Sequence, residues 1–231
     1  MQWTLFPQST LAYQNVLNAI AATGTEVSNV PNAGINVFLN GADTRTRGAD
    51  LVFDLAVEYA FGRIDWSLGA TYAETTLTNL AAETPQLDGQ PLFDTMAISD
   101  LTTAAPRFAF NLGSLWTLNK LTVNLREQIF GPSNEWEGDD GDTNGNRLAY
   151  YNTRIGMTPI TNLDLGYQAN KHFKLDIGAN NLFNRYPNQT NSTLLYYFRR
   201  AFDNVAVFIY PAFSPYGFDG GYYYIRARVQ F

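Results

Sequence analysis

Apolar and polar residues alternate along the last stretch of the chain, residues 221–231. Every second residue from Tyr223 to Phe231 is apolar or aromatic, and the intervening positions hold tyrosine, arginine or glutamine. Successive side chains of a strand point to opposite faces, so this pattern predicts a strand with one apolar and one polar face. On alternation alone, a soluble sandwich and a membrane strand are equally good interpretations. The length favours the membrane, because globular strands usually run about 5–6 residues and membrane strands need roughly 9–11.

The same alternation predicts six further strands upstream. Between Ala49 and Phe61, apolar residues share one face, whereas Gly48, Asp50, Asp54 and Glu58 lie on the other. Three carboxylates on one side would be costly in a packed core, which again favours a hydrated wall. The other predicted strands lie near residues 64–72, 108–116, 121–126, 162–169 and 173–180. The apolar positions predicted to face the membrane are Leu51, Phe53, Leu55, Val57, Trp66, Leu68, Leu175, Ile177, Ile225, Val229 and Phe231.

The connections between these strands alternate between short and long. Short turns are predicted near 61–63, 117–120 and 169–172, and long loops at 79–103, 131–157 and 184–218, each of 25 residues or more. Such loops are uncommon in compact soluble domains but typical of transmembrane barrels, with the short turns in the periplasm and the long loops outside. We predict an all-β fold of seven antiparallel membrane strands, or eight with residues 2–6, and a short helix at 11–22.

Three stretches resemble TonB-dependent outer-membrane receptors. Residues 178–187, Gly-Ala-Asn-Asn-Leu-Phe-Asn-Arg-Tyr-Pro, are similar to the Asn-Leu-Phe-Asp-like end of their penultimate strand, and residues 214–231 are similar to their final strand with its aromatic terminus. A third similarity is to an Asn followed by Arg/Thr-x-Gly-x-Glu/Asp-Leu, here Asn40, Thr46, Gly48, Asp50 and Leu51.

The resemblance implies that residues 1–231 form the C-terminal part of a receptor barrel of about 22 strands with a plugged lumen. The plug domain and the N-terminal strands would lie outside this chain. The implied function is import of a scarce nutrient, often a ferric siderophore, powered by the TonB complex across the bacterial outer membrane. The implied partners are outer-membrane lipid, the remainder of the receptor, the TonB complex and a small ligand such as a metal chelate.

Composition and charge argue against several other classes of protein. The net charge of −6 does not suit a nucleic-acid binder, so no nucleic-acid partner is predicted. The chain has no cysteine and no run of 18 apolar residues, which excludes a disulfide scaffold and argues against a helical membrane span. The start, Met1 to Pro7, lacks the features of a signal peptide, so we expect a fragment of an exported protein.

Searching the sequence for catalytic chemistry finds little. The one histidine, His172, lies at a short turn, and there is neither a nucleophile elbow nor a glycine-rich phosphate loop. We therefore predict no enzymatic activity and no cofactor. Residues 140–145 match the opening of a calcium loop, with oxygen donors at Asp140, Asp142 and Asn144. The closing glutamate is replaced by Tyr151, so a solvated acidic turn is the alternative.

The last long loop carries the second candidate site. Aromatic rings and guanidinium groups can stack on and neutralise a flat anionic ligand such as a ferric catecholate. The alternative is that the rings fold the loop into a small hairpin and cover its own apolar surface. The candidate ligand-binding residues are Tyr196, Tyr197, Arg199, Arg200, Phe202 and Tyr210.

Three function classes remain open at this point. The favoured one is a section of a transport receptor. The second is a small self-contained outer-membrane barrel that acts as a pore or adhesin. The third is a soluble β-rich binding protein.

Overall fold

The computed structural model describes residues 11–24, 41–81, 93–138, 149–201 and 209–230. Over these ranges the fold consists of antiparallel strands, as the alternation predicted, together with three short helices. The helices are α1 (Leu11–Ala22), α2 (Thr95–Thr102) and α3 (Ser192–Ala201). The strands are β1 (Ala42–Tyr59), β2 (Gly62–Leu80), β3 (Phe108–Leu118), β4 (Leu121–Phe130), β5 (Ser133–Gly138), β6 (Tyr150–Ile155), β7 (Thr158–Asn170), β8 (Phe173–Asn180) and β9 (Tyr222–Val229).

Seven strands form one sheet in the order β1-β2-β3-β4-β7-β8-β9. All six pairings in it are antiparallel, and β5 pairs with β6 in a separate hairpin inserted between β4 and β7. The seven predicted membrane strands are therefore all present, in the predicted sequential order. β1 and β9 are the two edges of the sheet, and among the described residues neither pairs with a further strand.

The strand register joins the apolar sides of all seven strands into one surface. Leu55 lies opposite Trp66, Leu68 opposite Leu112, and Ile177 opposite Ile225. Directly paired residues share a face of the sheet, so the period-two pattern of each strand continues across its neighbours. We call this surface the apolar face; it contains Leu51, Phe53, Leu55, Val57, Trp66, Leu68, Leu112, Leu165, Leu175, Ile177, Ile225 and Val229.

Much of the apolar face is exposed in the isolated chain. The exposed fraction is 52% for Phe53 and 73% for Ile225. Continuous exposed apolar surface of this kind marks a membrane or protein interaction site. Contact with lipid stays a prediction for these residues, and Phe231 lies outside the described residues.

The opposite side of the sheet, the polar face, carries a cross-strand hydrogen-bond network. Gln128 Nε2 donates to Asn111 Oδ1 (3.2 Å), and Asn162 Nδ2 donates to Gln128 Oε1 (3.4 Å), which links β3, β4 and β7. The Tyr224 hydroxyl donates to Asp164 Oδ2 (2.5 Å) across Gly178, where a Cβ would clash with the tyrosine ring. These polar groups form hydrogen bonds with one another that they would otherwise have to form with water.

Several residues depart from the division between the faces. Glu127 lies on the apolar face, where its Oε2 accepts a 2.6 Å hydrogen bond from the Thr161 hydroxyl of the neighbouring strand. Leu115 lies on the polar face, opposite Asp65 and Asn124. The other departures include Ser114 on the apolar face and, on the polar face, Val52, Phe130 and Ile160.

The short helix predicted at 11–22 is α1. Other predictions need correction: β1 begins at Ala42 instead of 48, because its pairing with β2 continues through residues that are polar on both faces. The long loops also contain α2, the β5–β6 hairpin and α3. In the last loop, for which a small hairpin was the alternative to a ligand site, residues 192–201 form α3, and residues 202–208 lie outside the described residues. The possible strand at 2–6 lies outside the described residues. No helix in the described ranges has the length and apolar character needed to cross a membrane.

Candidate ligand-binding surface

The β5–β6 hairpin lies between α2 and α3, and both of its edges are capped by hydrogen bonds. On the β5 side, the Trp136 N–H donates to Ser99 Oγ (2.9 Å) and the Asn134 N–H donates to the Thr103 carbonyl (3.0 Å). On the β6 side, Asn191 Nδ2 donates to the Asn152 carbonyl (3.2 Å). An isolated two-stranded hairpin is only marginally stable, so these caps explain its position. We call α2, the β5–β6 hairpin and α3 the loop module.

Caps and buried side chains hold α3 in place. Asn191 begins the helix, since its Oδ1 accepts from the Thr193 N–H (3.0 Å), and the Asn191 N–H donates to Thr153 Oγ1 of β6 (3.1 Å). Leu194 of α3 and Ile155 of β6 are fully buried. Burying such side chains is worth roughly 1.5–3 kcal/mol each. The helix is therefore anchored to the sequence-distant hairpin.

An aromatic row crosses the junction between β6 and α3. The Tyr151 and Tyr197 ring centroids are 5.9 Å apart, and Tyr197 meets Tyr196 edge-on at 5.7 Å. Tyr196 and Tyr197 remain 54% and 40% exposed. Arg199 is exposed three residues beyond Tyr196, the spacing of neighbours on a helix surface. The structure thus places four predicted residues, Tyr196, Tyr197, Arg199 and Arg200, on one helix. It also adds Tyr151, which sequence reasoning did not propose as ligand-binding.

The remaining predicted site residues are not members of this aromatic row. The Tyr210 ring stacks on Tyr186 at 5.3 Å. Arg200 lies in α3. Outside the described residues lie Phe202 and the calcium-loop candidates Asp140, Asp142 and Asn144. In the ranges that the structure describes, no group of three or more histidine, cysteine, aspartate or glutamate side chains is arranged to hold a metal ion.

Acidic side chains meet where α2 faces β5. Burial, a hydrogen bond to Asp100 and the negative charges of Asp100 and Glu137 together raise the pKa of Glu135 to about 8. Burial, followed by the charge of Asp100, also raises the pKa of Glu137. Burial and the nearby Asp94 carboxylate, to which its hydroxyl donates (3.2 Å), raise the pKa of Tyr150 to about 12. Glu135 therefore holds a proton at neutral pH, which reduces repulsion inside the loop module.

The Asn-Leu-Phe-Asn motif clamps the end of β8 to the start of β9. Asn181 is 9% exposed, has a φ of 53°, and forms two hydrogen bonds with the backbone of Arg185, of 2.7 and 2.8 Å. Asn184 Oδ1 accepts from the Gly221 N–H (2.8 Å), and the Tyr223 hydroxyl donates to the Leu182 carbonyl (3.0 Å). The motif is thus a structural junction beneath the loop that carries α3.

The polar face contains an open groove of about 640 Å³ beside β1–β4. Asp54, Arg63, Asp65 and Arg126 line it, and Arg63 Nη2 lies 2.6 Å from Asp65 Oδ1. Charges of both signs spread along several strands form a hydrated wall.

The family described as "TonB dependent receptor-like, beta-barrel" matches residues 9–182. The chain belongs to the TonB-dependent receptor β-barrel family. This confirms the resemblance inferred from residues 40–51 and most of the strand pattern. The final strand and its aromatic terminus, which suggested the family, lie beyond the matched residues. The family is one of transport receptors, and its members are outer-membrane proteins.

Two solved structures are similar to parts of this receptor chain. One is titled "Structure of the FpvAI-pyocin S2 complex", with 15% identity and a TM-score of 0.42. The other describes P. aeruginosa FpvA bound to heterologous pyoverdines, with 16% identity and a TM-score of 0.43. Each similarity covers 80% of this chain and 20% of the solved chain, so this chain spans about a fifth of their length. No curated protein matches the sequence.

The height of the apolar face is close to the thickness of the hydrocarbon core of a membrane. On β1 its residues run from Ala49 to Tyr59, eleven positions, and on β2 from Ile64 to Tyr72, nine positions. A tilted strand needs roughly 9–11 residues to cross the hydrocarbon core. Both strands thus carry apolar residues over one membrane thickness, and β1 and β2 then continue beyond it.

Proposed function

We propose that the chain forms part of the wall of an outer-membrane receptor that binds and imports a scarce nutrient, such as a ferric siderophore, with energy supplied through TonB. The observation that carries the proposal is the two-sided sheet. One apolar face of membrane height runs across seven strands, and the other face is a polar network. In an outer-membrane barrel the first would face lipid and the second the lumen. A soluble protein would leave this apolar face exposed to water.

The open edges support a larger barrel over a small self-contained one. β1 and β9 pair with no further strand in the part of the chain that the structure describes. Unpaired backbone groups in hydrocarbon cost several kcal/mol each, so each edge needs a neighbouring strand. We infer that further strands and a plug, supplied by the remainder of the receptor, complete the wall and fill the lumen.

The loop module supplies the proposed ligand-binding surface. Tyr151, Tyr196 and Tyr197 present exposed or half-exposed rings, and Arg199 supplies a positive charge beside them. Aromatic faces stack on planar groups, and guanidinium pairs with anionic oxygens, so a flat anionic metal chelate fits this chemistry. The proposal does not identify the chelate.

The test is uptake by the complete receptor in a bacterium without other iron transporters. We expect growth on a ferric catecholate as the iron source, and loss of that growth when TonB is deleted. Growth that persists without TonB would overturn the transport proposal. No growth on any of a panel of ferric chelates would do the same.

Binding by purified receptor variants tests the surface separately. Arg199→Ala and Tyr197→Ala should each weaken binding of the chelate that supports growth by roughly tenfold, because each removes a stacking or charge contact. The matched control is Arg154→Ala, which removes an exposed arginine of β6. If all three variants bind like the wild type, the chelate does not use this surface.

A further inference from the structure

One carboxyl group lies within the apolar face. Glu127 of β4 is opposite Leu112 of β3 and Thr161 of β7, and it shares that face with them. At the alternate positions that form this face, the seven described strands carry no other Asp, Glu, Lys or Arg over 49–59, 64–72, 108–118, 121–129, 159–167, 173–179 and 223–229. An ionisable group at a single position of an otherwise apolar surface needs a physical explanation.

The depth of Glu127 makes its position costly. It lies six residues beyond Leu121, the first residue of β4. Six residues span roughly 20 Å along a strand, or about 14 Å of depth at a tilt of about 45°, close to the middle of the roughly 25 Å band. An unpaired carboxylate is strongly disfavoured in hydrocarbon, so the group there is neutral or has a polar partner. Glutamate also lacks the long stem with which lysine and arginine reach the headgroups.

The wall itself supplies only part of the hydrogen bonding that this carboxyl group needs. The Thr161 hydroxyl donates to Glu127 Oε2 (2.6 Å). Among the described residues, no hydrogen bond or ion pair reaches the other oxygen, Oε1. Ser114, another polar residue of this face, is buried and accepts from Trp116 Nε1 (3.1 Å), so its oxygen has a partner within the wall. Glu127 is only half-buried and presents an unfilled hydrogen-bonding group to the outside.

Lipid cannot supply the missing partner, whereas a second copy of the receptor can. Acyl chains have no hydrogen-bond donor, and the headgroups lie outside the band. A neutral carboxyl group has one O–H donor and a free acceptor oxygen, so it complements another carboxyl group. A two-fold axis along the membrane normal keeps each residue at the same depth in both copies and brings a surface patch against itself. Glu127 of each copy can then donate to Glu127 of the other.

We propose that two copies of the receptor associate through the part of the apolar face around Glu127, with the two Glu127 carboxyl groups hydrogen-bonded across a two-fold axis. The inference rests on the proposed function for one point, that the apolar face contacts lipid. Receptor that is highly diluted in lipid is monomeric, and Glu127 then has only Thr161 as its partner. The surrounding apolar side chains pack against their counterparts and exclude lipid from the polar pair: Leu112, Leu125, Ile129 and Leu163.

The test measures association of the complete receptor in phosphatidylcholine vesicles, by energy transfer between donor-labelled and acceptor-labelled copies as the protein-to-lipid ratio rises. We expect transfer by the wild type to increase with that ratio. Glu127→Leu should need roughly tenfold more protein per lipid to reach the same transfer, because it removes the hydrogen bonds between the copies. Glu127→Gln should associate within about threefold of the wild type, because an amide also carries a donor and an acceptor.

The matched control is Glu58→Leu, which makes the same substitution on the polar face and should associate like the wild type. Heat-modifiable mobility on gels checks that each variant is folded. Unchanged association of Glu127→Leu, equal losses in Glu127→Leu and Glu127→Gln, or an equal loss in Glu58→Leu would each contradict the proposed contact. Wild type that inserts but stays monomeric at every ratio would overturn this inference alone. Wild type that does not insert would overturn the lipid contact, and the proposed function with it.

Photo-cross-linking locates the contact on the wall. With p-benzoylphenylalanine in place of Leu112, beside Glu127, we expect a product of twice the receptor's mass. In place of Phe53 the same group should capture lipid, because β1 is three strands from β4, or roughly 14 Å at about 4.8 Å per strand. Lipid adducts alone from position 112, or in intact cells an adduct to a different protein alone, would exclude a second copy as the occupant and overturn the inference.

Discussion

Leu55 and Ala56 are adjacent residues of β1 that the structure places on opposite faces of the wall. Leu55 lies on the apolar face opposite Trp66, whereas Ala56 lies on the polar face opposite Asp65. The eleven residues from Ala49 to Tyr59, every second of which lies on the apolar face, span roughly 34 Å along the strand, or about 24 Å of depth at a tilt of about 45°. That depth matches the roughly 25 Å band of outer-membrane barrels.

Arginine at these two positions should have very different effects. Leu55 lies four residues from Tyr59, about 10 Å deep and within about 3 Å of the mid-plane. Leu55→Arg should therefore lower the free energy of unfolding by about 2–4 kcal/mol. Ala56→Arg should change it by less than about 1 kcal/mol, because the new guanidinium is hydrated and faces Asp65.

The measurement is denaturant unfolding of the complete receptor in phosphatidylcholine vesicles, followed by tryptophan fluorescence and by heat-modifiable mobility on gels. Leu175→Arg and Ile225→Arg should repeat the large effect, and Thr71→Arg and Gln168→Arg the small one. Equal destabilisation by Leu55→Arg and Ala56→Arg would refute the assignment of the faces to lipid and lumen.

Three further predictions concern single residues. Asn181→Ala should lower the free energy of unfolding by about 2–3 kcal/mol, because it removes the hydrogen bonds to Arg185. Asn181→Gly should lower it by about 1 kcal/mol less, because glycine tolerates the positive φ. Equal losses in the two unfolding titrations would contradict a role for the positive φ. The Glu135 pKa of about 8 exceeds its unfolded value of about 4.3, so the loop module should lose stability as pH rises from about 5 to 8. Glu135→Gln should remove this dependence of stability on pH. Limited proteolysis of α2 across this pH range measures the change, and a wild-type cleavage rate that does not vary with pH would refute the prediction. Glu127→Leu should raise the denaturant concentration at the unfolding midpoint in vesicles, and Glu127→Gln should raise it less, since only leucine extends the apolar face. A lower midpoint for the leucine variant would show that the carboxylate and its hydrogen bond stabilise the wall.

The strands of the sheet could be predicted from the sequence wherever the residues on its two sides differ in polarity. β8 and β9, and β2 from Ile64 to Tyr72, carry apolar residues at every second position, so period two alone identified them. The first six residues of β1 were missed for the opposite reason. Both of their faces are polar, and their pairing with β2 is held by the backbone ladder and by threonine hydroxyls. Nothing in the local pattern distinguishes such a segment from a loop.

The loop module was less predictable because distant contacts hold it together. The Tyr151 and Tyr197 rings meet across 46 residues of sequence, and the edges of the β5–β6 hairpin are capped by residues from two other loops. One local signal for α3 existed. Asn191 directly precedes Ser192, and asparagine is a favoured N-cap. The choice of Tyr196, Tyr197 and Arg199 followed from chemistry alone, and Tyr151 could not be added without the fold.

The two edge strands differ in length, with 18 residues in β1 and 8 in β9. Ten residues correspond to roughly 34 Å along a strand, so the rim of the wall descends steeply from one end of this sheet to the other. A strand that joins beside β1 can remain hydrogen-bonded far outside the membrane, whereas one that joins beside β9 finds pairing groups only over about a bilayer's depth. The entrance of the completed barrel would therefore be uneven in height, with its tall side at β1 and its low side at β9.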